Sequence, residues 1–314
     1  GGTTVNWTSS FRTPAATLGW WQRTYGLADA GVGDMAPWFA RMEARLSIAP
    51  WMMAPNANNE ALARGARKLG IAAPTIRRNV VNCANLGYCG MGCPINAKQS
   101  MLVTTVPAAL GKGATLVTRA RADEFVMAGD RVTELSVAAL DARGIAPTGR
   151  RITVRARRFV AAAGAIGTPA LLMRSGAPDP HGITGKRTFL HPTLVSAAVM
   201  PETIDGFAGA PQSIYSDHFQ DTAPLDGPIG FKLEVPPLHP MLTSALIGTH
   251  GQKHLAVMRE YPKLHCAIAL LRDGFHPESQ GGSVSLRPDG TTLLDYEISA
   301  FLFEGARRAF LTMA

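Results

Sequence analysis

Apolar and polar positions change their period several times along the chain. After Asp34, which can cap a helix start, the stretch through Trp38, Met42, Arg45 and Leu46 carries helical spacing. A Pro- and Asn-rich break follows at 50–58. Asn58 or Asn59 then opens a second helix that ends near Leu69, with Gly70 as its stop. Residues 82–100 show no period and read as a loop, and Ser100 to Leu110 turns helical again. From Ala114 to Val137 the alternation becomes two-residue around Gly129-Asp130-Arg131, which predicts a hairpin. Further strands are expected over Arg151 to Ala163, then a helix beginning near Thr168-Pro169. Beyond about 185, strands and loops rich in Pro, His and aromatic residues mix without repeats. Gly281 to Gly290 reads as a strand and turn, and a helix runs from about Glu304 to the end.

Composition narrows the class. The 314 residues are 46% hydrophobic and 17% charged, which is the balance of a globular chain and not of a disordered one. The net charge of +8 is scattered. Its densest run, Arg150 to Arg158, alternates like a strand with one polar face, so no nucleic-acid partner is expected. No run reaches the ~18 apolar residues of a membrane span. The nearest, Phe159 to Met173, is broken by Gly164, Gly167, Thr168 and Pro169. Residue 1 is Gly, already inside a tight Gly- and Thr-rich loop that runs over 1–14, so the chain reads as truncated and its compartment, cytoplasmic or periplasmic, stays open. The four cysteines do not form a disulfide-dense pattern.

Several motifs could carry chemistry. Gly31-Val32-Gly33-Asp34-Met35-Ala36 fits a dinucleotide fingerprint, but no buried strand precedes it and no acidic residue follows at the required distance, so it reads as a decoy. The opening Gly1-Gly2-Thr3-Thr4-Val5-Asn6 lets backbone approach a flat ligand and adds small donors, and fits a surface turn equally well. Ala161 to Gly176 is a small-residue strand entering a helix, suited either to a cofactor at the strand end or to tight packing. Cys83, Cys89 and Cys93 share one loop with Gly87, Gly90 and Gly92 and precede Pro94. They can converge on a cluster, stay as buried thiols, or pair as Cys89–Cys93. None of the eight histidines has a setting that marks a base. His250 and His254 have i, i+4 spacing, but Gly251 argues against a helix there.

Taken together these segments resemble the glucose-methanol-choline (GMC) family of flavin-dependent oxidoreductases. Gly1 to Asn6, followed by Arg12-Thr13-Pro14, is similar to the family loop that wraps the flavin ring. Gly164-Ala165, Thr168-Pro169, Leu171-Leu172 and Ser175-Gly176 are similar to its second signature, with a departure at Ala177-Pro178. Cys89 to Cys93 with Ala97-Lys98-Gln99-Ser100 resembles the branch that oxidises long-chain or bulky alcohols, and His191-Pro192 sits where the family enters its substrate domain.

The resemblance implies an α/β fold. Residues 1–190 would form part of a Rossmann-like FAD-binding domain, with a helical and cysteine-loop segment at 34–110, and 191–314 part of a substrate domain on a mixed or antiparallel sheet. It implies FAD held by Gly1, Gly2, Thr3, Thr4, Asn6, Ala122, Ala163 and Gly164. The reaction would take an alcohol to a carbonyl, a histidine base removing the hydroxyl proton while hydride passes to the flavin, with electrons leaving to an acceptor that the sequence does not identify. The family's pyrophosphate-binding glycine motif and its catalytic histidine lie outside this chain. No catalytic residue is therefore carried over, and the chain alone is expected to bind FAD poorly and not turn over. The spacing of Cys83, Cys89 and Cys93 also resembles that of cluster-bearing glucose dehydrogenases, implying an iron–sulfur cluster, although Ala84 stands where those enzymes have a further Cys. The competing readings are an iron–sulfur electron-transfer module and a non-catalytic binding or structural protein.

Overall fold

The computed structural model describes residues 1–222 and 224–314. In chain order its elements begin with the single helical turn α1 (Gly2–Val5), α2 (Ala15–Tyr25), α3 (Val32–Arg45), the short strand β1 (Ile48–Pro50), α4 (Ala57–Lys68), β2 (Arg77–Asn79) and α5 (Thr105–Leu110). Next come β3 (Ala120–Ala128), β4 (Arg131–Leu140), β5 (Pro147–Arg155) and α6 (Gly164–Arg174). Then follow β6 (Thr193–Val199), β7 (Tyr215–Ser216), α7 (His218–Asp221), β8 (Phe231–Glu234), α8 (Pro240–Leu246), α9 (Gly251–Arg259) and β9 (Leu264–Leu271). The hairpin β10 (Ser283–Leu286) and β11 (Thr292–Asp295) precedes the closing helix α10 (Ala300–Met313). Every strand pairing among the described residues is antiparallel, and no helix among them is long and apolar enough to cross a membrane.

Two compact units emerge. One comprises residues 1–114, 191–272 and 301–314; the other comprises 115–190 and 273–300. This is a division by contact, whereas the expected boundary near 190 is one by function, and each unit draws chain from both sides of it.

The first unit is built on a four-stranded sheet in the order β6-β9-β8-β7. The two-residue period of a strand splits its side chains cleanly. Phe231 and Leu233 lie opposite Leu271 and Ala269 and are buried on one face, while Lys232 and Glu234 share the other with Leu270 and Ile268. Tyr215 is registered against Glu234 and joins that second face. α10 packs closely on the unit: a Cβ on Gly305 would stand 3.0 Å from Ile229. α4 is fixed by Asn56, whose side chain accepts from Asn59 N at 2.9 Å, and stops at Gly70 with φ of 68°. The buried Asn58 and Asn59 are therefore interior to the helix. Asn59 Oδ1 accepts from Ser213 N and Ile214 N, and Asn58 Oδ1 from Cys266 N, tying helix to sheet.

The second unit carries the meander β3-β4-β5 and the β10–β11 hairpin. The expected turn holds, with Gly129 at φ of 65° between β3 and β4. Ser175 Oγ accepts from Phe125 N at 2.8 Å and joins the end of α6 to β3.

Several local expectations are corrected. Residues 1–14 are not all loop, because 2–5 form a helical turn. Asp34 is not the cap of α3. Gly31 is, and the Asp34 carboxylate reaches back to accept from Gly31 N at 3.1 Å. A 3₁₀ turn over Ala28–Ala30, and no strand, precedes Gly31, as the decoy reading requires. Phe159 to Ala163 forms no strand, since no neighbouring edge among the described residues pairs with it, and Val160 is 87% exposed. α6 begins at Gly164, earlier than Thr168, and the Thr168 hydroxyl accepts from Ala163 N. Helix α9 does form, with Gly251 as its first residue at φ of 61°, a conformation glycine adopts freely.

Candidate cofactor turn and adjoining cavity

The N-terminal turn is held from beneath by a buried cation. α1 closes through Thr4 N to Gly1 O and Asn6 N to Gly2 O, both 3.0 Å. Lys98, 5% exposed, donates to three backbone carbonyls: Thr4 O, Asn6 O at 2.9 Å and Cys89 O at 2.6 Å. Burial depresses the Lys98 pKa, and the backbone dipoles are what keep the ammonium tolerable there. Thr3 Oγ1 accepts from Met101 N at 3.1 Å, so the Lys98 segment grips the turn twice. The space above is open, for a Cβ added to Gly1 or Gly2 would meet nothing within 4 Å.

A second buried cation anchors the chain that follows. Arg78 is 1% exposed and donates to Trp7 O at 2.8 Å, Gln212 O at 2.9 Å, Pro211 O and the Cys89 thiol at 3.3 Å. Its guanidinium lies 5.1 Å from the Trp51 ring centre. Burial lowers its pKa. Trp7 packs so tightly on Gly90 that a Cβ there would stand 2.3 Å from the indole, which explains the glycine. Arg78 and Lys98 thus clamp residues 4–7 against the cysteine loop.

Among the described residues no three His, Cys, Asp or Glu side chains come together to hold a metal, Cys83, Cys89 and Cys93 included, and all four cysteines are free. Cys89 is buried against the cationic Arg78, and Cys83 Sγ accepts from Asn85 N at 3.4 Å. Remote Cys266 is buried in β9, and burial pushes its thiol up to about 12.

Ala122, Ala163 and Gly164 fall in the second unit. Ala122 pairs with Val137 immediately before a bulge that leaves Asp123 unmatched. Ala163 caps α6 and Gly164 follows at φ of 78° with open space over its α-carbon. The cofactor residues expected from sequence therefore divide into two groups, one in each unit.

Sequence reasoning missed a cavity of about 1110 Å³ in the first unit, whose wall begins four residues after Asn6. Residues 10–17 form one side, and Thr75, Arg77, Tyr215, Asp217, Lys232 and Arg272 contribute to the other. Three cationic residues of its lining, Arg12, Arg77 and Lys232, are paired with carboxylates. Glu43 takes a two-point contact from Arg12 at 2.8 Å and a third from Arg77 at 2.8 Å, and the Arg12 contact foremost holds its carboxyl down to about 2. Lys232 Nζ lies 3.2 Å from Asp217 Oδ1. Beneath the same sheet face Glu234 is 2% exposed, accepts from Gln212 Nε2 at 2.7 Å, and is pushed up to about 7 by burial. The one available signal was the alternation in Phe231-Lys232-Leu233-Glu234, which puts two charges on one strand face.

Residues 1–193 match the family model described as GMC oxidoreductase. An uncharacterized GMC-type oxidoreductase of Mycobacterium tuberculosis is 29% identical over 95% of this chain and 45% of its own length. A long-chain-alcohol oxidase of Arabidopsis thaliana is 28% identical over 67% of this chain and 28% of its own length. The chain thus spans less than half of the length of these curated relatives. The crystal structure of pyridoxine 4-oxidase from Mesorbium loti superposes over 98% of this chain and 62% of that one, with a TM-score of 0.62 at 15% identity, a likeness of fold. A family match over more than half of its residues, together with that shared fold, shows that this chain belongs to the GMC oxidoreductase family.

Proposed function

We propose that the protein is an FAD-dependent oxidoreductase acting on CH–OH groups, taking an alcohol to its carbonyl. The observation that carries the reading is the Gly1–Asn6 turn: its upper side is open over two glycines while its carbonyls are drawn down by Lys98. A flat ring can approach such a surface closely, so these residues fit the group. Membership of the family and the alcohol oxidases among the relatives support the same chemistry.

FAD, when bound, supplies the hydride acceptor. Gly1, Gly2, Thr3, Thr4 and Asn6 would hold it, and the family resemblance gives the same role to Ala122, Ala163 and Gly164. Lys98 and Arg78 act through the backbone as positioning residues. The cavity beyond residue 10 is where the chain offers volume for an alcohol, and the pairing of Arg12, Arg77 and Lys232 leaves the walls Phe11, Pro14, Ala15, Ala16 and Leu225 to set an apolar interior. No side chain here is assigned as the base. We also propose that residues 1–190 serve the cofactor and 191–314 the substrate, that the 314-residue chain alone binds FAD weakly without turnover, and that a separate acceptor takes the electrons. Calorimetry with FAD tests the chain directly: weak uptake is expected, and tight stoichiometric binding would show that the cofactor site lies elsewhere in the chain.

A further inference from the structure

The most unusual group in the cavity wall is Lys232. Its Nζ lies 3.3 Å from the centre of the Phe11 ring and 4.9 Å from that of Tyr215. The two rings meet edge to face at 4.9 Å and 72°, so they form two sides of a corner. Asp217 closes a third, 3.2 Å from the ammonium, and the Lys232 side chain is only 14% exposed. Two aromatic faces and a carboxylate around one cation are the elements with which proteins recognise ligand ammonium groups. Here the occupant is supplied by the protein's own chain, from the sheet face that Lys232 shares with Glu234 and Tyr215.

We propose that Lys232 is a specificity-determining residue: its tethered ammonium fills an ammonium cage of Phe11, Tyr215 and Asp217, and so closes the cavity to alcohols that carry an ammonium group. The inference rests on reading this cavity as the alcohol site. The environment makes the plug selective by charge. Asp221 and Glu234 add negative groups near Asp217 and Tyr215, and Arg272 lines the same cavity. Burial already holds the Asp217 carboxyl above the ordinary range, so a vacated cage either protonates Asp217 or draws in a cation. Neutral alcohols gain nothing from the cage and are unaffected by the plug.

The test is calorimetric titration of the full-length protein with tetramethylammonium chloride at fixed ionic strength. Wild type and Lys232→Arg, both plugged, should show no saturable uptake. Lys232→Ala, which empties the cage, should bind at least about tenfold more tightly than either, the scale of a desolvated cation–π site. Adding Tyr215→Leu to Lys232→Ala should abolish the gain. Should Lys232→Ala fail to fold, Lys232→Ser carries the same expectation. Equal binding by wild type and variant, no gain in a folded variant, or a gain that survives Tyr215→Leu would each overturn the proposal. These titrations need neither flavin reduction nor turnover. A failure of the oxidoreductase reading, seen as an alcohol-insensitive protein, would therefore be separately visible.

Discussion

Replacing Lys98 by Met removes the support of the Gly1–Asn6 turn while keeping most of its volume. Three hydrogen bonds from the ammonium are lost, to Thr4 O, Asn6 O and Cys89 O. Hydrogen bonds to a charged partner contribute about 1.5–3 kcal/mol each, so the gross loss is about 5–9 kcal/mol. Two effects offset it. The depressed Lys98 pKa registers a desolvation cost that methionine does not incur. The carbonyls of Thr4 and Asn6 also belong to exposed residues and can turn to water, whereas Cys89 is buried and its carbonyl remains costly. The net destabilisation expected is about 2–4 kcal/mol, read as a lower urea midpoint at unchanged slope. Hydrogen exchange locates it: the amides of Thr4 and Asn6, which close α1, should lose protection ahead of those in β8 and β9. Lys98→Arg should restore part of the loss. A stability change below about 0.5 kcal/mol, the scale of an ordinary surface substitution, with α1 still protected, would refute the reasoning.

Glu234 makes stability fall as pH rises. Its folded pKa of about 7 lies above the ordinary 4.5, so its contribution is intact below 4.5 and is lost as pH climbs to about 7, a span worth about 3 kcal/mol. Glu234→Gln should therefore gain on wild type between pH 5 and pH 8 in paired urea titrations, and parallel curves would count against a buried acid. Gly90→Ala should cost about 1–3 kcal/mol and shift tryptophan emission, because the new methyl group would sit 2.3 Å from the Trp7 indole. Native-state alkylation mapped by mass spectrometry should label Cys83 and Cys93 well before the buried Cys89 and Cys266, and early loss of Cys89 would contradict its packing against Arg78.

What could be read from sequence was local. The Gly129-Asp130 hairpin, α4 with its Gly70 stop and the 281–290 strand and turn each rest on periodicity plus one turn residue, and each is present. Phe159 to Ala163 went the other way, because an apolar run shows that a strand is affordable but says nothing about whether an edge is available to pair with it. Glycine weakens a helix interior, but Gly251 stands at the first position of α9, where that cost does not apply and its positive φ is tolerated. Arg78 left no local pattern, and the segment around Lys98 and the alternation around Lys232 say nothing of what those side chains meet. Lys98 bonds residues 92 and 94 positions away and Arg78 residues up to 134 away, and such pairings exist only once the chain has folded.

The proposed activity is hydride transfer from an alcohol to a bound flavin. Its most direct test is anaerobic titration of the purified full-length protein with a primary long-chain alcohol, following the visible flavin spectrum. The expected result is a yellow protein that bleaches stoichiometrically and recovers its colour when an electron acceptor is admitted. A protein that takes up no FAD even after refolding with it, or whose flavin keeps its colour with every alcohol supplied, would contradict the account.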